Sequence, residues 1–587
     1  MEVKTSGFLP IKTHFYKYRY FYLVLAAVSS IYVFPLLFVQ MPTGHDVWFH
    51  MTRIDGLAGE LELGNLPARI YSTVYYDFGY AAPLFYGDWL LYFPAFLVVN
   101  GVSVVVAYKT FIMSCAVLTA LSMYFSAQII LKDKKAACVT AVLYSLSTYL
   151  ATDAFVRHAN GEMQSFIFIP IALAGLYDII RGEGKRWLLL PLGLCGVLVT
   201  HTLTAFMTVV FLALFALMFL TEFIEKPKKL LYIAASAVVF FLLSASFIFP
   251  MIEQLSSNKF WATDGTSADY FGTLKTRSMQ SIYSLFSTFN STSEVDGQKY
   301  FIPQGVGLVF PVLIGWRIAY FKKTRSADGA VFLTLAIFSL ILTSRFFPWG
   351  DFQSELGTLQ FPWRIMLFAT VFIALFGGVM TKKLNATRNI SIFLSIITVV
   401  AFYSVTNTLY YKYKDVYVLA SNGEEKIYNY TNNIGLGEYL PSGTVKTQLL
   451  NNGRIVRSSS YINKSYPERI DGVFTMYFDD NRGDDTYIDV PLLMYKGYRA
   501  TLETDKITKE LPVTYGNNNV VRVYIGDADS GTLRVWYDGT PIQKWSFAVT
   551  ILSFGGVLAY YIILYKKRKK EGEAIPPLTD ISELINK

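Results

Sequence analysis

Asp46, His50 and Arg53 are the residues of this sequence whose types and spacing most clearly suggest chemistry. They follow the first long apolar run, and on a helix they would fall at positions i, i+4 and i+7 of one face. A carboxylate, an imidazole and a guanidinium would then converge at the mouth of a membrane domain, which is typical of a site. The alternative is a polar helix start, in which Asp46 caps the first turn and the other charges are solvated.

A second polar cluster interrupts an apolar run and contains Asp153, Arg157, His158 and Glu162. Asp153 and Arg157 are four residues apart, so they can pair at a helix end. A charge at full depth in a bilayer costs roughly 2.5–3.5 kcal/mol, so ionisable residues kept there are candidates for function. The alternative is a pair that reaches out to the membrane interface.

Gln360, Trp363 and Arg364 form a third candidate, in the stretch Gln-Phe-Pro-Trp-Arg. Trp363 suits the edge of a membrane, and Arg364 can form two parallel hydrogen bonds with a phosphate, which lysine cannot. The alternative is a plain interfacial anchor. His201, between Thr200 and Thr202, lies at a predicted turn between two apolar runs, where a histidine is either a ligand or a hydrogen-bonded packing residue.

No cofactor is expected from the motifs. His45, Asp46 and His50 could ligate a divalent metal ion, but their spacing matches no strong metal motif. The three cysteines lie inside apolar runs and are typical of small core residues. The sequence has no Walker loop, dinucleotide fingerprint or nucleophile elbow, so energy from a cytoplasmic nucleotide is not expected.

Composition predicts a polytopic α-helical protein of the cell membrane. Of 587 residues, 53% are apolar and only 16% are charged, against roughly 25% in soluble domains. The net charge of +9 comes from short basic clusters between apolar runs, a pattern that fits membrane topology. Membrane lipids are therefore expected partners, and nucleic acid is not.

The basic clusters predict about twelve spans with both termini inside. Lys12, Lys17 and Arg19 precede the first span and place the N-terminus in the cytoplasm. Residues 84–100 are interpreted as an interfacial or re-entrant helix, because this keeps the basic cluster at 132–135 inside. The predicted spans are 20–40, 104–131, 136–153, 163–180, two within 187–220 broken at 200–202, 230–251, 304–321, 328–343, 361–380, 390–409 and 544–564.

Three parts follow from this topology. Residues 1–409 form a transmembrane domain with a large first outer loop at 41–83, and residues 542–587 form the last span and a basic cytoplasmic tail. Residues 410–541 are predicted to be an extracytoplasmic β-rich domain, because residues alternate in 520–524 and 533–537 and glycine-containing turns separate such runs. The long polar connections all lie outside, so the functional side should be extracytoplasmic.

The order of these features resembles the GT-C class of membrane glycosyltransferases. That class has an acidic residue at the start of a large outer loop after the first span, many further spans and a C-terminal outer domain. More narrowly, five stretches are similar to a bacterial group related to YfhO, often labelled pyruvoyl-tetrahydropterin-synthase-related. They are Gly44-His45-Asp46 with Arg53, Arg157 with Gly161-Glu162, Thr200-His201, Phe361-Pro362-Trp363-Arg364, and the outer segment 490–498. The resemblance covers most of the chain.

The resemblance implies a sugar transferase that works outside the membrane, with a polyprenyl-phosphate sugar as donor and a glycan, lipid or protein as acceptor. Asp46 would be the general base that takes the proton of the attacking hydroxyl. Arg364 and Arg157 would bind the departing lipid phosphate. The remaining candidates, expected to contact or orient the substrates, are His45, His50, Arg53, His158, Glu162, His201, Gln360 and Trp363.

Two other functions stay open at this point. A transporter or lipid flippase could use the same charges as a translocation path, although the repeated halves of many transporters are not seen in the sequence. A non-catalytic envelope assembly or polysaccharide-binding protein would carry its function in the β-rich domain. Tyrosine-rich outer surfaces stack well on sugars, so sugar binding alone would not separate this third function from the enzyme.

Overall fold

A computed structural model describes most of the chain. The described residues are 11–37, 41–42, 44–264, 273–279, 281–288, 291–295, 298–385, 388–413, 417–418, 434–452 and 455–571. The predicted cytoplasmic tail beyond residue 571 and residues 419–433 of the predicted outer domain lie outside this part.

Helices account for most of the described chain up to residue 413, as the apolar runs predict. The α-helices are α1 Ile11–Leu36, α2 Val47–Glu62, α3 Tyr92–Val99, α4 Val104–Leu131, α5 Lys134–Ser145, α6 Thr148–Thr152, α7 Asn160–Arg181, α8 Leu189–Leu198, α9 Thr202–Leu217, α10 Leu220–Glu225, α11 Lys228–Leu243, α12 Ala245–Ser257, α13 Ile282–Phe286, α14 Val309–Ala319, α15 Phe321–Thr324, α16 Ala327–Thr343, α17 Gln353–Leu356, α18 Met366–Lys383, α19 Arg388–Tyr413, α20 Lys446–Asn452 and α21 Pro541–Glu571.

Several of these helices are long and apolar enough to cross a membrane. The described residues contain six such helical stretches, at Tyr18–Leu36, Val104–Leu131, Lys134–Arg157, Asn160–Arg181, Pro362–Lys383 and Pro541–Lys567. A seventh span results if α11 and α12, which meet at a 69° bend, are counted as one. The protein is therefore an integral membrane protein. The total of about twelve spans and the sidedness remain predictions, because six further apolar helices have only 10–17 residues.

Two predicted interruptions of the apolar runs can be compared with the helices directly. The run at 187–220 is broken where expected, since α8 ends at Leu198 and α9 begins at Thr202. In the stretch 84–100 the longest helix is α3, with eight residues, which gives a length of only about 12 Å. That helix alone is too short for a hydrocarbon core of about 30 Å, and its interfacial placement remains a prediction.

The helix α18 lies at the centre of the membrane domain. Every residue from Met366 to Thr381 is buried, and the helix packs against α5 on one side and α16 on another. Helices α4 and α7 pack on each other, and α8 packs on α7. This helical core holds the two ends of α7 in fixed positions, which matters for the site described below.

The C-terminal part is rich in β-strands, as the alternating sequence predicts. The strands of its two sheets are β5 Arg457–Ser458, β6 Asn463–Lys464, β7 Glu468–Ile470, β8 Val473–Asp479, β9 Thr486–Leu493, β10 Tyr498–Glu503, β11 Thr508–Leu511, β12 Val513–Tyr515, β13 Val520–Gly526 and β14 Gly531–Tyr537. One antiparallel sheet has the order β11-β10-β14-β8-β6, with β7 also paired to β8, and a second has the order β12-β13-β9-β5. Alternate residues of β13 and β14 are buried, which confirms the two predicted strands. Four other strands form two small antiparallel pairs. The strand β1 Met41–Pro42 pairs with the distant β4 Tyr417–Val418, and β2 Ser291–Val295 pairs with the neighbouring β3 Gln298–Ile302.

Hydrogen bonds attach the β-rich domain to the connection between α2 and α3. The Leu493 N–H donates to the Phe78 carbonyl at 2.7 Å, and Arg469 Nη1 donates to the carbonyls of Ser72 and Asp77 at 2.9 and 2.6 Å. The Tyr75 hydroxyl donates to the Ile434 carbonyl at 3.1 Å. The connection between α2 and α3 is therefore a surface of the membrane domain to which the β-rich domain is hydrogen-bonded.

Candidate functional site

Asp46 stands at the N-terminus of α2, where the sequence predicts a helix start. The helical spacing of Val47, Met51, Ile54, Ala58 and Leu61 also predicts an apolar stripe, and all of these residues except the half-buried Leu61 are buried and anchor the helix. The Asp46 N–H donates to the Arg157 carbonyl at 2.8 Å, which ties the helix start to the second cluster. The carboxylate makes no capping hydrogen bond and no ion pair with any described residue, so the capping alternative is not seen.

Arg157 is presented by a local widening of the helical backbone. Residues Asp153–Arg157 form one turn of π-helix, and His158 then adopts a left-handed conformation at φ 54°. Such turns occur frequently at functional sites because they redirect side chains. Arg157 donates to Asp153 at 2.5 Å and to Glu162 at 3.0 Å. The predicted Asp153–Arg157 pair is thus present, and it is buried, with side-chain exposures of 0% and 4%, so it does not reach an interface.

Glu162 lies between two arginines near the start of α7. Its Oε2 is 3.0 Å from Arg157 Nη1 and 3.5 Å from Arg364 Nε, and its Oε1 accepts from the Tyr149 hydroxyl at 2.5 Å. Gly161 allows Tyr86 to pack against the start of α7, because a Cβ at position 161 would lie 2.1 Å from the Tyr86 hydroxyl oxygen. We call Asp153, Arg157, Glu162 and Arg364 the buried ion network; its two acids and two bases balance in formal charge.

Arg364 projects from a short 3-10 turn, Pro362–Ile365, that precedes α18. Its Nη1 donates to Gln360 Oε1 at 2.9 Å and to the Leu359 carbonyl at 3.3 Å, and its guanidinium lies 4.9 Å from the centre of the Phe361 ring. Trp363, from the same turn, stacks on the guanidinium of Arg157 at 4.4 Å. The third sequence cluster is therefore in direct contact with the second.

One cavity of about 720 Å³ brings the three clusters and His201 together. The cavity is large enough for a sugar and a phosphate, since ligand pockets commonly have volumes of about 300–1,000 Å³. The predicted site residues that line it are His45, Asp46, His50, Arg157, Glu162, His201, Gln360, Trp363 and Arg364.

Arg53 and His158 do not line this cavity, although Arg53 contacts His50, as their shared helical face predicts. Arg53 is fully buried, pairs with Asp88, and donates to the Gly87 carbonyl at 2.7 Å, so it fastens α2 to the following loop. His158 is also buried, and its Nδ1 lies 3.0 Å from the Tyr108 hydroxyl. A helical face can show which residues of one helix are adjacent, but not which loop residue will pair with them.

His50 and His201 contribute uncharged imidazoles to the cavity. Burial lowers the pKa of His50 well below its ordinary value, and the positive charge of Arg53 adds to this shift. Arg53 Nη1 lies 3.2 Å from His50 Nδ1, and because a guanidinium only donates, the neutral ring carries its proton on Nε2. Burial also lowers the pKa of His201 to about 3, with Arg364 contributing. Its Nδ1 lies 2.7 Å from the Thr204 hydroxyl oxygen, so His201 is both a packing residue and a cavity residue.

Neighbouring groups shift the pKa of Asp46 in opposite directions. Burial raises the pKa of its carboxyl above the ordinary value, while the positive charges of Arg157 and Arg364 lower it and the negative charge of Glu162 raises it. A carboxylate with a raised pKa and no fixed partner among the described residues is suited to accept a proton.

Among the cavity residues that were missed from the sequence, those with ionisable side chains are Tyr86, Arg277, Glu438 and Tyr439. Burial raises the pKa of the Glu438 carboxyl, and the negative charge of Asp46 adds to this shift. Arg277 lies over the Phe361 ring at 5.2 Å. These residues come from distant connections without a recognisable motif; the nearest signal is a pair of glycines at 435 and 437 with positive φ, which indicates a tight turn rather than a site.

A metal centre is not apparent in the part of the chain that the structure describes. There, no group of three or more histidine, cysteine, aspartate or glutamate side chains is placed to hold a metal ion. The predicted possibility of a divalent metal at His45, Asp46 and His50 therefore rests on residue types alone.

Comparisons with known proteins give a family but no activity. A model of the DUF6541 family, described as a family of unknown function, matches residues 18–405. An uncharacterized protein of Lactococcus lactis subsp. cremoris (strain MG1363) is 20% identical over 347 residues, which cover 57% of this chain and 55% of that protein. The chain thus spans about half the length of this curated relative.

Among solved structures, an archaeal oligosaccharyltransferase, AglB from Archaeoglobus fulgidus in complex with an inhibitory peptide and a dolichol-phosphate, is similar over 67% of this chain and 56% of that chain. The TM-score is 0.38 and the identity 13%. A likeness of this strength establishes neither the fold nor the function of this chain. The GT-C and YfhO-related resemblances therefore remain predictions from the sequence motifs.

Proposed function

The chain belongs to the DUF6541 family, and we propose that this member is a membrane glycosyltransferase of GT-C type that moves a sugar from a polyprenyl-phosphate donor to an extracytoplasmic acceptor. The observation that carries the proposal is the shared cavity of about 720 Å³, in which a carboxylate without an ion pair among the described residues faces buried arginines. The acceptor would be a glycan, a lipid or a protein of the cell envelope.

Asp46 is the general base in this proposal. The acceptor hydroxyl attacks the anomeric carbon of the donor sugar, and its proton passes to the Asp46 carboxylate as the new carbon–oxygen bond forms. A base placed in this way contributes roughly 10²–10⁴ in rate. The raised pKa of Asp46 supports the role, because it makes the carboxylate a stronger base than an exposed aspartate.

Arg364 and Arg157 bind the leaving group. The bond between the anomeric carbon and the phosphate oxygen breaks, and its electron pair departs with the polyprenyl phosphate. Negative charge therefore grows on the phosphate, where a preorganised guanidinium stabilises it without solvent reorganisation. Glu162 holds both arginines, at 3.0 and 3.5 Å. A single displacement of this kind inverts the anomeric carbon and needs no covalent enzyme intermediate.

The remaining cavity residues bind the sugar. His50 and His201 are neutral because of burial, so they can hydrogen-bond sugar hydroxyls without adding charge. Gln360 adds an amide, and Trp363 and Tyr86 offer aromatic faces of the kind that stack on sugar rings. A cavity in which charged groups and aromatic rings lie side by side suits a sugar phosphate better than a purely apolar molecule.

The proposal is tested by sugar transfer in proteoliposomes. The purified full-length protein is supplied with a panel of radiolabelled polyprenyl-phosphate hexoses and with envelope extract as acceptor. We expect Asp46→Asn to abolish transfer while retaining binding of polyprenyl phosphate, because the side chain keeps its shape but loses the basic oxygen. Glu62→Gln, an exposed position on the same helix, is the matched control and should transfer normally.

Two outcomes would overturn the proposal. Undiminished transfer by Asp46→Asn would remove that residue from the mechanism. Movement of labelled lipid across the bilayer with no covalent change, dependent on Arg157 and Arg364, would instead establish the flippase alternative.

A further inference from the structure

A second cavity lies at the opposite end of α2 from Asp46. Its volume is about 520 Å³, and it is enclosed by the end of α2, the connection that follows, the β-rich domain and the start of α21. On α2, His50 lines the first cavity and Glu60 the second, so the two cavities are separated by about 15 Å along the helix. None of the site residues predicted from the sequence lines this second cavity.

Two arginines line this cavity without a carboxylate partner. Three acids, Glu60, Asp471 and Asp538, line it as well, but Glu60 accepts from the Ser72 N–H at 2.8 Å and Asp538 pairs with Lys544 at 2.8 Å. Arg469 Nη1 donates to two backbone carbonyls, while its Nε is buried and has no hydrogen-bond partner among the described residues. Arg69 has only one contact of this kind, a 3.3 Å hydrogen bond from Nη1 to the Ser246 carbonyl. Neither guanidinium lies within 4.0 Å of a described carboxylate. A shielded guanidinium with spare donors is stabilised by an anion, and most strongly by a phosphate or carboxylate.

Other polar atoms on the cavity wall also lack partners. The Tyr498 hydroxyl and Gln543 Oε1 are buried and form no hydrogen bond with any described residue. The amide of Gln543 is nevertheless held in place, because its Nε2 donates to the Tyr537 hydroxyl at 2.8 Å. Buried polar groups are nearly always hydrogen-bonded in folded proteins, so several such atoms around one cavity indicate a ligand that completes them.

The cavity also offers an aromatic surface. Trp536, at the end of β14, is half-buried and lines the wall. An indole face of this kind stacks on the apolar face of a sugar ring, while a simple inorganic anion would make no use of it.

We propose that this second cavity binds an anionic carbohydrate, meaning a sugar that carries a phosphate or a carboxylate. The acidic group binds between Arg69 and Arg469, the ring stacks on Trp536, and hydroxyls bond to Tyr498 and Gln543. The ligand is either a soluble acidic glycan or the sugar headgroup of a lipid. The inference is independent of the transfer reaction, because it uses none of the residues of the first cavity.

Binding to the full-length protein in nanodiscs tests the inference. The probes are glucose 6-phosphate, glucuronic acid, glucose and inorganic phosphate, with calorimetry as the readout. We expect the two acidic sugars to bind at least tenfold more tightly than glucose or phosphate. Nanodiscs prepared with an added acidic glycolipid distinguish the two sources of the ligand. If the glycolipid weakens binding of the soluble acidic sugars, the cavity binds a lipid headgroup; if it does not, the cavity binds a soluble glycan.

Four variants make the result specific to this cavity. Arg69→Gln and Arg469→Gln should each weaken binding of the acidic sugars about tenfold or more, and Trp536→Leu should weaken the sugars but not phosphate. Arg534→Gln is the control, because it removes an exposed arginine of the same strand outside the cavity. Arg469→Gln also removes two hydrogen bonds to the connection between α2 and α3 and can loosen it. Arg69 makes a single hydrogen bond to the backbone, so Arg69→Gln tests the guanidinium with less effect on the structure.

Three results would overturn the inference. One is equal binding of glucose and glucose 6-phosphate, and a second is equal binding of inorganic phosphate and the sugar phosphate. The third is loss of binding in Arg364→Gln but not in Arg69→Gln or Arg469→Gln, which would assign the probes to the first cavity.

Discussion

Replacing Glu162 by glutamine should destabilise the protein through the buried ion network. The carboxylate is 1% exposed and serves Arg157 and Arg364 together, at 3.0 and 3.5 Å. Without it Arg157 keeps Asp153, but Arg364 has no carboxylate within 4.0 Å among the described residues. Removing one partner of a buried ion pair typically costs about 3–5 kcal/mol, because the remaining charge is left desolvated and unpaired. We therefore expect Glu162→Gln to lower the free energy of unfolding by that amount.

The assay is equilibrium unfolding of the purified protein in mixed micelles, which requires no knowledge of the substrate. Glu503→Gln is the matched control, since Glu503 is half-exposed and pairs with exposed Arg534 at 3.4 Å, and it should change stability by less than about 1 kcal/mol. The double variant Glu162→Gln with Arg364→Gln should recover about 0.5–3 kcal/mol relative to the sum of the single effects, because the orphaned charge is gone. A Glu162→Gln protein as stable as the Glu503→Gln control would refute the reasoning.

Four more predictions concern the pH dependence of sugar transfer and the residues that support the site. In the proposed mechanism Asp46 must be ionised to act, so sugar transfer should decline as pH falls through the Asp46 pKa, which burial raises above the ordinary aspartate value. In Arg364→Gln this acid limb should move to higher pH, since Arg364 lowers the Asp46 pKa, whereas Arg364→Lys should leave it nearly in place. Asp88→Asn should cost about 3–5 kcal/mol of stability in the same unfolding assay, because it orphans the fully buried Arg53; a loss below 1 kcal/mol would contradict the pairing. Gly87→Ala should reduce the yield of folded protein in detergent chromatography, because its Cβ would lie 1.8 Å from a backbone carbonyl oxygen.

Local patterns in the sequence were sufficient for much of the fold. The stripe of α2 is set by helical spacing within 16 residues, so it could be predicted without any partner. The strands β13 and β14 follow from alternation over seven residues each, and the break before Thr202 follows from polar residues inside an apolar run. The candidate site was also largely predicted, because ionisable side chains in apolar surroundings are costly and therefore conspicuous.

The remaining features depend on contacts between distant parts of the chain. Arg53 was assigned to the site from its helical face, but Asp88 and Tyr86 approach that face from another connection and enclose it. Glu438 was missed because nothing in its neighbourhood distinguishes it from a surface glutamate; only the fold brings it to Asp46. The number of spans also depends on tertiary structure, because helices of 10–17 apolar residues can be whole spans, broken spans or buried segments.

The turn 435–439 closes the first cavity from a different part of the chain than the buried ion network does. The network lies within residues 18–405, which the family model matches, whereas this turn lies beyond that match. The turn is firmly packed, because Tyr439 stacks on Phe85 at 5.1 Å and its carbonyl accepts from the Tyr495 hydroxyl at 3.1 Å. The shape of the cavity therefore depends on how the C-terminal part docks as well as on the helical core.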